Sequence, residues 1–260
     1  PCNMNKIIKI AKKYKLKIIE DCAHAIETKY LNKPVGNFGY AGCYSFYSNK
    51  NITTGEGGML TCDNKKLFEK VKMMRLHGMS RDAWKRYMPE ETPKTILYQH
   101  YDILYTGLKY NMIDINAAIG IEQLKKIDQM WNKRKNLYNK YFNELKKFGI
   151  ILQGTNQYKF KHGYHLFLFI FDQKKFKDKN IRDKFLKYLN QNKIGAGVHY
   201  RSATGMTNYR KLFKWSNKTC PIAHNYGLNT ASLPLYPSLS AKNQKYIIDK
   251  VKFFLKNNQK

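Results

Sequence analysis

The chain has 260 residues, of which 43% are hydrophobic, so it can form one large domain or two modest ones. No run of about 18 apolar residues occurs, so no membrane-spanning helix is expected. The first segment is charged and amphipathic, so no signal peptide is expected either. The five cysteines show no C-x-x-C spacing, which predicts neither a disulfide framework nor a metal site; we expect reduced thiols in the cytoplasm.

The net charge of +30, from 48 basic and 18 acidic residues, is typical in bulk of nucleic-acid-binding proteins. Here the excess is mainly lysine, spread along the chain beside abundant Asn, Ile and Tyr, as expected of coding biased toward A and T. Nucleic-acid binding would need a basic stripe with stacking aromatics in one element, and the sequence shows no such clustering. We therefore interpret the charge as a solvated surface whose positive field attracts phosphorylated ligands. A basic nucleic-acid-binding protein stays as an alternative hypothesis.

The first part of the chain alternates predicted helices and strands. Apolar residues at helical spacing and short buried runs define these elements. In chain order they are a helix over 3–13 capped by Asn3, a strand over 16–20, strands over 43–47 and 59–62, and a helix over 65–76. A turn-rich stretch over 32–42 separates the first two strands. This order favours an α/β layered sheet.

The second part begins with an irregular stretch over 78–107, whose length suggests a functional loop. A helix over 112–124 follows, in which Ala117, Ala118 and Gly120 permit close approach of another backbone. A long basic helix over 129–148 is interpreted as a bridge between domains. Further elements are predicted as a strand over 164–172, a helix over 180–190, a short strand over 197–200 and a closing helix over 242–255.

The segment from residue 20 to residue 58 holds the residues most suggestive of chemistry. It reads E-D-C-A-H-A over 20–25 and G-C-Y-S-F-Y-S-N-K-N-I-T-T-G-E-G-G over 42–58. An enzyme that uses pyridoxal phosphate (PLP) needs a lysine for a Schiff base with the cofactor aldehyde and an acid on the pyridine nitrogen. It also needs hydroxyl and backbone N–H groups for the phosphate. Lys50, Asp21 and Ser45 can supply these groups, and the glycines after Lys50 let the backbone approach a ligand closely.

Each residue alone has a plainer interpretation. Asp21 could cap a helix or form a turn, Lys50 could be one of many surface lysines, and His24 could be a packed histidine. The glycine run by itself could be a turn. Only the ordered combination of all of them favours a cofactor site.

This combination resembles the DegT/DnrJ/EryC1/StrS family, the PLP-dependent sugar aminotransferases of fold type I. Members carry E-D-x-A-H/Q-A and then G-x-x-S-F-x-x-x-K-x-I-x-x-G-E-G-G. The resemblance continues through R-L-H-G-M-S-R-D-A-W at 75–84, G-L-K-Y-N-M-I-D-I-N-A-A-I-G at 107–120, G-V-H-Y at 197–200 and L-P-L-Y-P at 233–237. It implies an α/β fold with a mixed, mostly parallel sheet sandwiched by helices, and a smaller α+β C-terminal domain. The implied division is a PLP-binding large domain over 1–128, without its N-terminal portion, and a bridging helix with the small domain over 129–260.

The resemblance implies cofactor roles for four residues of the motif. Lys50 would form the Schiff base with PLP and move the proton during catalysis. Asp21 would pair with the pyridine nitrogen, and His24 would lie beside the ring near its 3-hydroxyl. Ser45 would bind the cofactor phosphate.

Three residues outside these roles complete the expected site. Asn111 would reach the phosphate of the neighbouring subunit's cofactor, which implies a homodimer with shared active sites. His199 would lie at the substrate side. Glu56 has no implied role, and we expect it to be a buried structural carboxylate.

The implied reaction transfers an amino group, with glutamate as donor, to a keto sugar carried on a nucleotide, for glycan or amino-sugar biosynthesis. A 4-keto-6-deoxy sugar is the favoured substrate. Lys50 argues against the dehydratase branch of the family, in which a histidine replaces the lysine. Family members are longer at the N-terminus, so we expect a fragment or a truncated gene product. A non-catalytic truncated relative is therefore a further alternative.

Overall fold

The computed structural model describes residues 1–80, 101–154 and 157–260. The predicted loop over 78–107 and the family stretch over 75–84 therefore lie partly outside the described residues. The chain forms two compact units, which are described separately: unit 1 comprises Pro1–Ile127 and Tyr158–Gly163, and unit 2 comprises Asp128–Gln157 and Tyr164–Lys260. The predicted domain division at 128/129 stays a prediction.

The described helices and strands include the predicted elements in the predicted order except the strand over 197–200, and they add several short strands and two helices, over 207–213 and 221–229, that were not predicted. They are α1 (Met4–Lys13), β1 (Ile19–Asp21), β2 (Lys29–Tyr30), β3 (Lys33–Pro34), β4 (Ala41–Ser45), β5 (Gly58–Thr61), α2 (Lys65–Met74), α3 (Asp114–Lys125), α4 (Ile127–Leu145), β6 (Ile150–Leu152), β7 (Phe160–Lys161), β8 (Phe167–Phe171), α5 (Ile181–Gln191), α6 (Thr207–Phe213), α7 (Pro221–Asn229), β9 (Thr230–Leu233) and α8 (Ala241–Asn258).

Asparagine side chains cap two helices of unit 1, of which the sequence analysis predicts only the cap of α1 by Asn3. The side chain of Asn3 caps α1 by accepting a hydrogen bond from the Lys6 backbone N–H at 3.2 Å. The side chain of Asn64 caps α2 in the same way, with the Leu67 N–H at 2.9 Å. These caps satisfy N–H groups that a helix start otherwise leaves without an intrahelical acceptor.

The main sheet of unit 1 has the strand order β1-β4-β5. β1 and β4 are parallel, with Asp21 opposite Cys43, and β4 and β5 are antiparallel, with Ser45 opposite Gly58. On β1 the side chains alternate, so Glu20 is buried between exposed Ile19 and Asp21. The carboxyl ends of β1 and β4 therefore lie at one edge of the sheet.

A second sheet of unit 1, with the order β3-β2-β7, is absent from the predicted elements. Its strands have two residues each, and β7 comes from a distant part of the chain. Tyr30 of β2 is 2% exposed, and its ring packs edge-on against Phe38 and Tyr158 at centroid distances of 5.6 and 5.0 Å. Aromatic packing thus joins segments that hydrophobic periodicity does not connect.

Unit 2 has an antiparallel sheet, β6-β8-β9, at its core. On β8, Phe167, Phe169 and Phe171 are at most 1% exposed and face the same side. Helices α5 and α8 bury residues at helical spacing and contribute them to the same hydrophobic cluster. The predicted short strand over 197–200 is wrong, because this stretch forms only a single bridge, Gly197 with Ser232.

No helix in the described ranges combines the length and apolar composition that crossing a bilayer requires. Among those same residues, no group of three or more His, Cys, Asp or Glu side chains is arranged to hold a metal ion.

Candidate active site

Asp21 and Ser45 are the last residues of the parallel strands β1 and β4. Because Asp21 is opposite Cys43, Ser45 lies two residues further along, roughly 7 Å at the usual strand rise. The Asp21 side chain is exposed, and its Oδ1 accepts a hydrogen bond from the Ala23 N–H at 3.0 Å. Ligands of open α/β sheets bind outside the carboxyl ends of the strands, which is where this carboxylate and this hydroxyl lie.

Glu20 is a structural residue of this edge whose role the sequence motif does not indicate. Its side chain is 8% exposed. Oε2 accepts from the Gly36 N–H at 2.7 Å, and Oε1 accepts from the N–H groups of Phe38 and Gly39 at 2.6 and 2.7 Å. The carboxylate thus holds the turn that leads into β4. The alternation of β1 could have indicated it, because Glu20 occupies an inward-facing strand position next to Asp21.

The tight fit at Gly39 shows why this turn needs glycine. A Cβ on Gly39 would lie 2.5 Å from the Ile18 carbonyl oxygen, and that oxygen accepts a hydrogen bond from the Tyr40 N–H at 2.7 Å. The turn therefore packs directly on the backbone before β1. Together with the Glu20 hydrogen bonds, this contact fixes the relative position of β1 and β4.

Lys50 lies in a loop that begins where β4 ends. The Lys50 N–H donates to the Tyr47 carbonyl at 3.0 Å, which forms a turn, and the Thr54 N–H donates to the Phe46 carbonyl at 3.0 Å. The Phe46 N–H in turn donates to the Gly57 carbonyl at 2.8 Å. The loop is therefore closed on itself at Phe46, one residue beyond Ser45, and Lys50 is half-buried within it.

His24 follows β1 in a turn and is half-buried. A Cβ on Gly163 would lie 3.0 Å from the His24 carbonyl oxygen, so these two segments are in close contact. The Gly163 carbonyl accepts a hydrogen bond from the side-chain nitrogen of Asn51 at 2.7 Å. The His24 turn and the loop of Lys50 therefore meet at Gly163, which places Asp21, His24 and Lys50 in one region of unit 1.

Asn111 precedes α3 and lines a cavity of about 550 Å³ together with Gly57, Gly58 and Met112. Gly58 is opposite Ser45 in the sheet, so this cavity adjoins the end of β4. The side-chain oxygen of Asn111 accepts a hydrogen bond from the Lys109 ammonium group. Asn111 therefore belongs to the same side of unit 1 as Ser45.

Glu56 is exposed, so the expectation of a buried carboxylate is wrong. The group of Glu56 that is used structurally is its backbone carbonyl. This oxygen accepts from the Thr54 hydroxyl at 2.7 Å and from the Asn116 side-chain nitrogen at 3.1 Å. The neighbouring residues Gly55, Gly57 and Gly58 are exposed as well, so this part of the glycine loop lies at the surface.

His199 is the one predicted site residue that lies in unit 2, whereas the others lie in unit 1. It is half-buried, and its Nδ1 shares a hydrogen bond with the Ser232 hydroxyl at 2.7 Å. A Cβ on Gly197 would lie 2.8 Å from the His199 ring, so glycine leaves room for that ring. Ser232 is a positioning neighbour that no sequence motif indicated.

Cys22, between Asp21 and His24, is buried. Burial, together with the negative charges of Glu20 and Asp21, raises the pKa of the Cys22 thiol to about 11. The thiol is therefore neutral near pH 7 and unsuited to nucleophilic chemistry. The amine of Lys50 is thus the better candidate for covalent chemistry in this region.

The residues of unit 1 fit the functional groups of PLP. Lys50 offers an amine, the exposed Asp21 carboxylate offers an acceptor for a protonated pyridine nitrogen, and Ser45 offers a hydroxyl at the same sheet edge. Lys50 is half-buried in the loop that follows β4, and the cofactor roles of these three residues stay predictions.

The sequence model of the DegT/DnrJ/EryC1/StrS aminotransferase family matches residues 1–252. The chain is similar to the uncharacterized protein MJ1066 of Methanocaldococcus jannaschii, with 39% identity over 259 residues covering 100% of this chain and 65% of that protein. It is 34% identical over 256 residues to the spore coat polysaccharide biosynthesis protein SpsC of Bacillus subtilis, covering 98% of this chain and 64% of SpsC. The chain therefore spans slightly less than two-thirds of the length of these relatives.

Among solved structures, the fold is similar to that of the Streptococcus pneumoniae protein Spr1654. The PMP form of Spr1654 superposes with a TM-score of 0.86 at 23% identity, covering 99% of this chain and 67% of that chain. Its PLP form gives a TM-score of 0.85. This likeness confirms the predicted α/β fold of type I.

Proposed function

The chain belongs to the DegT/DnrJ/EryC1/StrS aminotransferase family, and on this premise we propose that it transfers an amino group to a keto sugar with the help of PLP. The observation that carries the proposal is the placement of the Lys50 loop directly beyond β4, whose parallel partner β1 ends at Asp21. The residue that offers an amine and the residue that offers a carboxylate thus follow or end two neighbouring parallel strands, and PLP chemistry needs both groups. PLP, when bound, supplies an electron sink for the substrate carbon.

Each residue of unit 1 has a defined task in this proposal. The Lys50 amine would hold the cofactor. When uncharged, it would move the proton at the substrate carbon that gives up or receives the amino group. The Asp21 carboxylate keeps the pyridine nitrogen protonated through a charge-assisted hydrogen bond. Ser45 would donate a hydroxyl hydrogen bond to the phosphate of the cofactor, and His24 would lie beside its ring.

The substrate of the proposed reaction is a nucleotide-linked keto sugar, favoured as a 4-keto-6-deoxy sugar, with glutamate as the amino donor. The polysaccharide role named for the relative SpsC supports a sugar substrate. The net charge of +30 supports a diphosphate-containing one, because a positive field raises the local concentration of anionic ligands. His199 is proposed to lie at the substrate side, and the cytoplasmic location stays a prediction.

Trapping the cofactor tests the proposal. Incubation with PLP is expected to produce visible absorbance, which borohydride reduction converts into a stable adduct on the peptide containing Lys50. Peptide mass spectrometry locates the adduct among the many lysines of the chain. An absence of adduct, or an adduct spread evenly over surface lysines, would contradict the proposal. Salt-sensitive binding of nucleic acid without visible absorbance would favour the alternative hypothesis instead.

The partner in the proposal is a second copy of the chain, bound on the face of α3. No residue of α3 is buried in the single chain, and the exposed fractions of Ile115 and Ile121 are 70% and 56%. Exposed apolar patches of this kind are typical of interfaces. Asn111 lies three residues before the start of this helix, so a partner bound on α3 could bring its cofactor phosphate to the Asn111 side chain.

Replacing Ile115 by aspartate is expected to convert the dimer to monomer, because it places a charge in the centre of the proposed apolar interface. The second helical position tolerates an acidic side chain, so α3 itself is expected to persist. Ile222→Asp is the matched control, because Ile222 is 75% exposed and occupies the same position in α7. Sedimentation or light scattering measures the mass. An Ile115→Asp variant with the mass of the unmodified chain would refute the interface.

A further inference from the structure

A buried polar cluster lies next to Lys50 in the chain. The side-chain nitrogen of Asn51 donates to the two carboxylate oxygens of Glu27 at 3.0 and 2.8 Å and to the Gly163 carbonyl at 2.7 Å. Asn51 and Glu27 are 4% and 6% exposed. We refer to Asn51, Glu27 and the Gly163 carbonyl as the amide clamp.

The chemistry of the clamp requires an amide at position 51. A carboxylate and a carbonyl can only accept hydrogen bonds, so the NH2 end of Asn51 must face them. Aspartate at this position has the same shape but offers no donor, and its charge would face that of Glu27. Leucine has a similar volume but would leave the buried Glu27 carboxylate without this donor, which is costly.

Stability alone does not account for such a cluster. Well-packed apolar side chains usually stabilise a core as much as a buried polar group does, or more. A satisfied polar network instead specifies how the segments it joins are positioned, because its hydrogen bonds form in one arrangement only. Asn51 is separated from Glu27 by 24 residues and from Gly163 by 112, so the clamp fixes one loop against two distant segments.

Lys50 is bonded directly to the residue that the clamp holds. The lysine side chain is a flexible four-carbon stem, so its backbone sets the point from which the amine can reach a ligand. The Lys50 N–H is fixed by the Tyr47 carbonyl at 3.0 Å, on the N-terminal side. The clamp fixes the C-terminal side, and Ile52, 2% exposed, follows it into the interior.

We propose that Asn51 and Glu27 are positioning residues that hold the Lys50 amine in the orientation required for attachment of PLP. This inference rests on the proposed function and extends it to two residues that bind neither cofactor nor substrate. Misplacement of a reacting group by about 1 Å can lower a rate by roughly a hundredfold. The clamp is therefore expected to act on the rate at which Lys50 reacts.

The test measures the rate of PLP attachment at Lys50 in the full chain, from visible absorbance, with the site identified by borohydride reduction and peptide mass spectrometry. Asn51→Asp is expected to lower the rate by about tenfold or more, because two carboxylates then face each other. Glu27→Gln is expected to have a smaller effect, since its side-chain oxygen can still accept from Asn51. The double variant Asn51→Asp with Glu27→Gln is expected to recover part of the lost rate, while the Gly163 carbonyl still lacks its donor. In that variant the amide introduced at position 27 can donate to the carboxylate introduced at position 51, which reverses the direction of the hydrogen bond.

Thr61→Val is the matched control. It removes the hydrogen bond from the Thr61 hydroxyl to the Gly36 carbonyl, 2.8 Å long, in the same unit but outside the Lys50 loop. This variant is expected to lose stability in thermal unfolding and to keep the attachment rate of the unmodified chain. If Asn51→Asp does not fold, the attachment rates of Glu27→Gln and of the double variant are compared with that of the unmodified chain. This comparison still tests the positioning role.

The outcomes separate the two proposals. If the unmodified chain forms no adduct at Lys50, the proposed function fails and the positioning role fails with it. If the unmodified chain forms the adduct and the clamp variants react within about twofold of it, the function stands and the positioning role is refuted. A low rate in Asn51→Asp with recovery in the double variant and no change in Thr61→Val supports it.

Discussion

Replacing Lys50 by arginine or alanine is expected to abolish amino-group transfer while leaving the fold intact. Arginine keeps the positive charge, but its guanidinium stays protonated and cannot form the covalent bond with an aldehyde. Alanine removes the nucleophile altogether. General acid–base and nucleophilic catalysis together supply a large share of the rate, so a loss of at least about a thousandfold is expected.

The backbone hydrogen bond from the Lys50 N–H to the Tyr47 carbonyl does not depend on the side chain, so the loop is expected to persist. Turnover is measured by formation of the amino sugar or of the keto acid from the donor, beside circular dichroism of each variant. Lys66→Arg is the control, because Lys66 is exposed on α2 and is expected to retain full activity. Turnover of Lys50→Ala at the level of this control would refute the role of Lys50.

Replacing Glu20 by alanine is expected to cause a large loss of stability in unit 1. The Glu20 carboxylate accepts three backbone hydrogen bonds, from Gly36, Phe38 and Gly39, at 2.6–2.7 Å. Alanine would leave these N–H groups without their acceptor in a buried or part-buried setting, at about 1–3 kcal/mol for each group that stays unsatisfied. A decrease of about 3–5 kcal/mol in the free energy of unfolding is expected. Glu20→Gln should lose less, since one amide oxygen can still accept.

Urea unfolding gives the change in stability, and hydrogen exchange of peptides covering residues 36–39 shows whether protection is lost at that turn. Glu122→Gln is the control, because its ion pair with Lys125 is exposed and such pairs contribute at most about 1 kcal/mol. A Glu20→Ala variant that loses less than about 1 kcal/mol and keeps the turn protected would contradict the role assigned to Glu20.

The contribution of Glu20 also bears on the active site. Asp21 is the next residue, with its side chain on the opposite face of β1, so a shift of Glu20 would move the carboxylate proposed for the pyridine nitrogen. The motif pair Glu-Asp thus combines one residue that holds the sheet edge with one that is proposed to hold the cofactor. Substitution of Glu20 is therefore expected to weaken cofactor retention as well as stability.

Much of the fold was predictable wherever the relevant interactions are local. The cap of α1 by Asn3 needs only neighbouring residues, and the alternation of β8 reflects one strand with one buried face. Helices α5 and α8 follow from apolar residues at helical spacing. The motif around Lys50 was recognisable because its residues form a contiguous pattern whose order is specific.

Other features depend on contacts between distant residues, which no local pattern contains. The strands of the sheet β3-β2-β7 are too short to show a periodic sequence pattern. One of their pairings joins Lys29 to Lys161, which are far apart in the chain. The stretch over 197–200 was predicted to be a strand, but only Gly197 pairs with a strand, at Ser232. Glu56 was expected inside the protein, but the glycine loop that carries it lies at the surface.

The sequence alone determined which residue types are available for catalysis and in what order, because side-chain chemistry and motif spacing are properties of the chain itself. It indicated the lysine, the acid and the hydroxyl without any coordinates. Only the tertiary structure decided which contacts hold them in place. Glu20 accepts hydrogen bonds from the turn before β4, and Asn51 donates hydrogen bonds to Glu27 and to the Gly163 carbonyl. The physical reason is that a buried polar side chain needs partners, and those partners are brought within hydrogen-bonding distance by folding rather than by their separation along the chain.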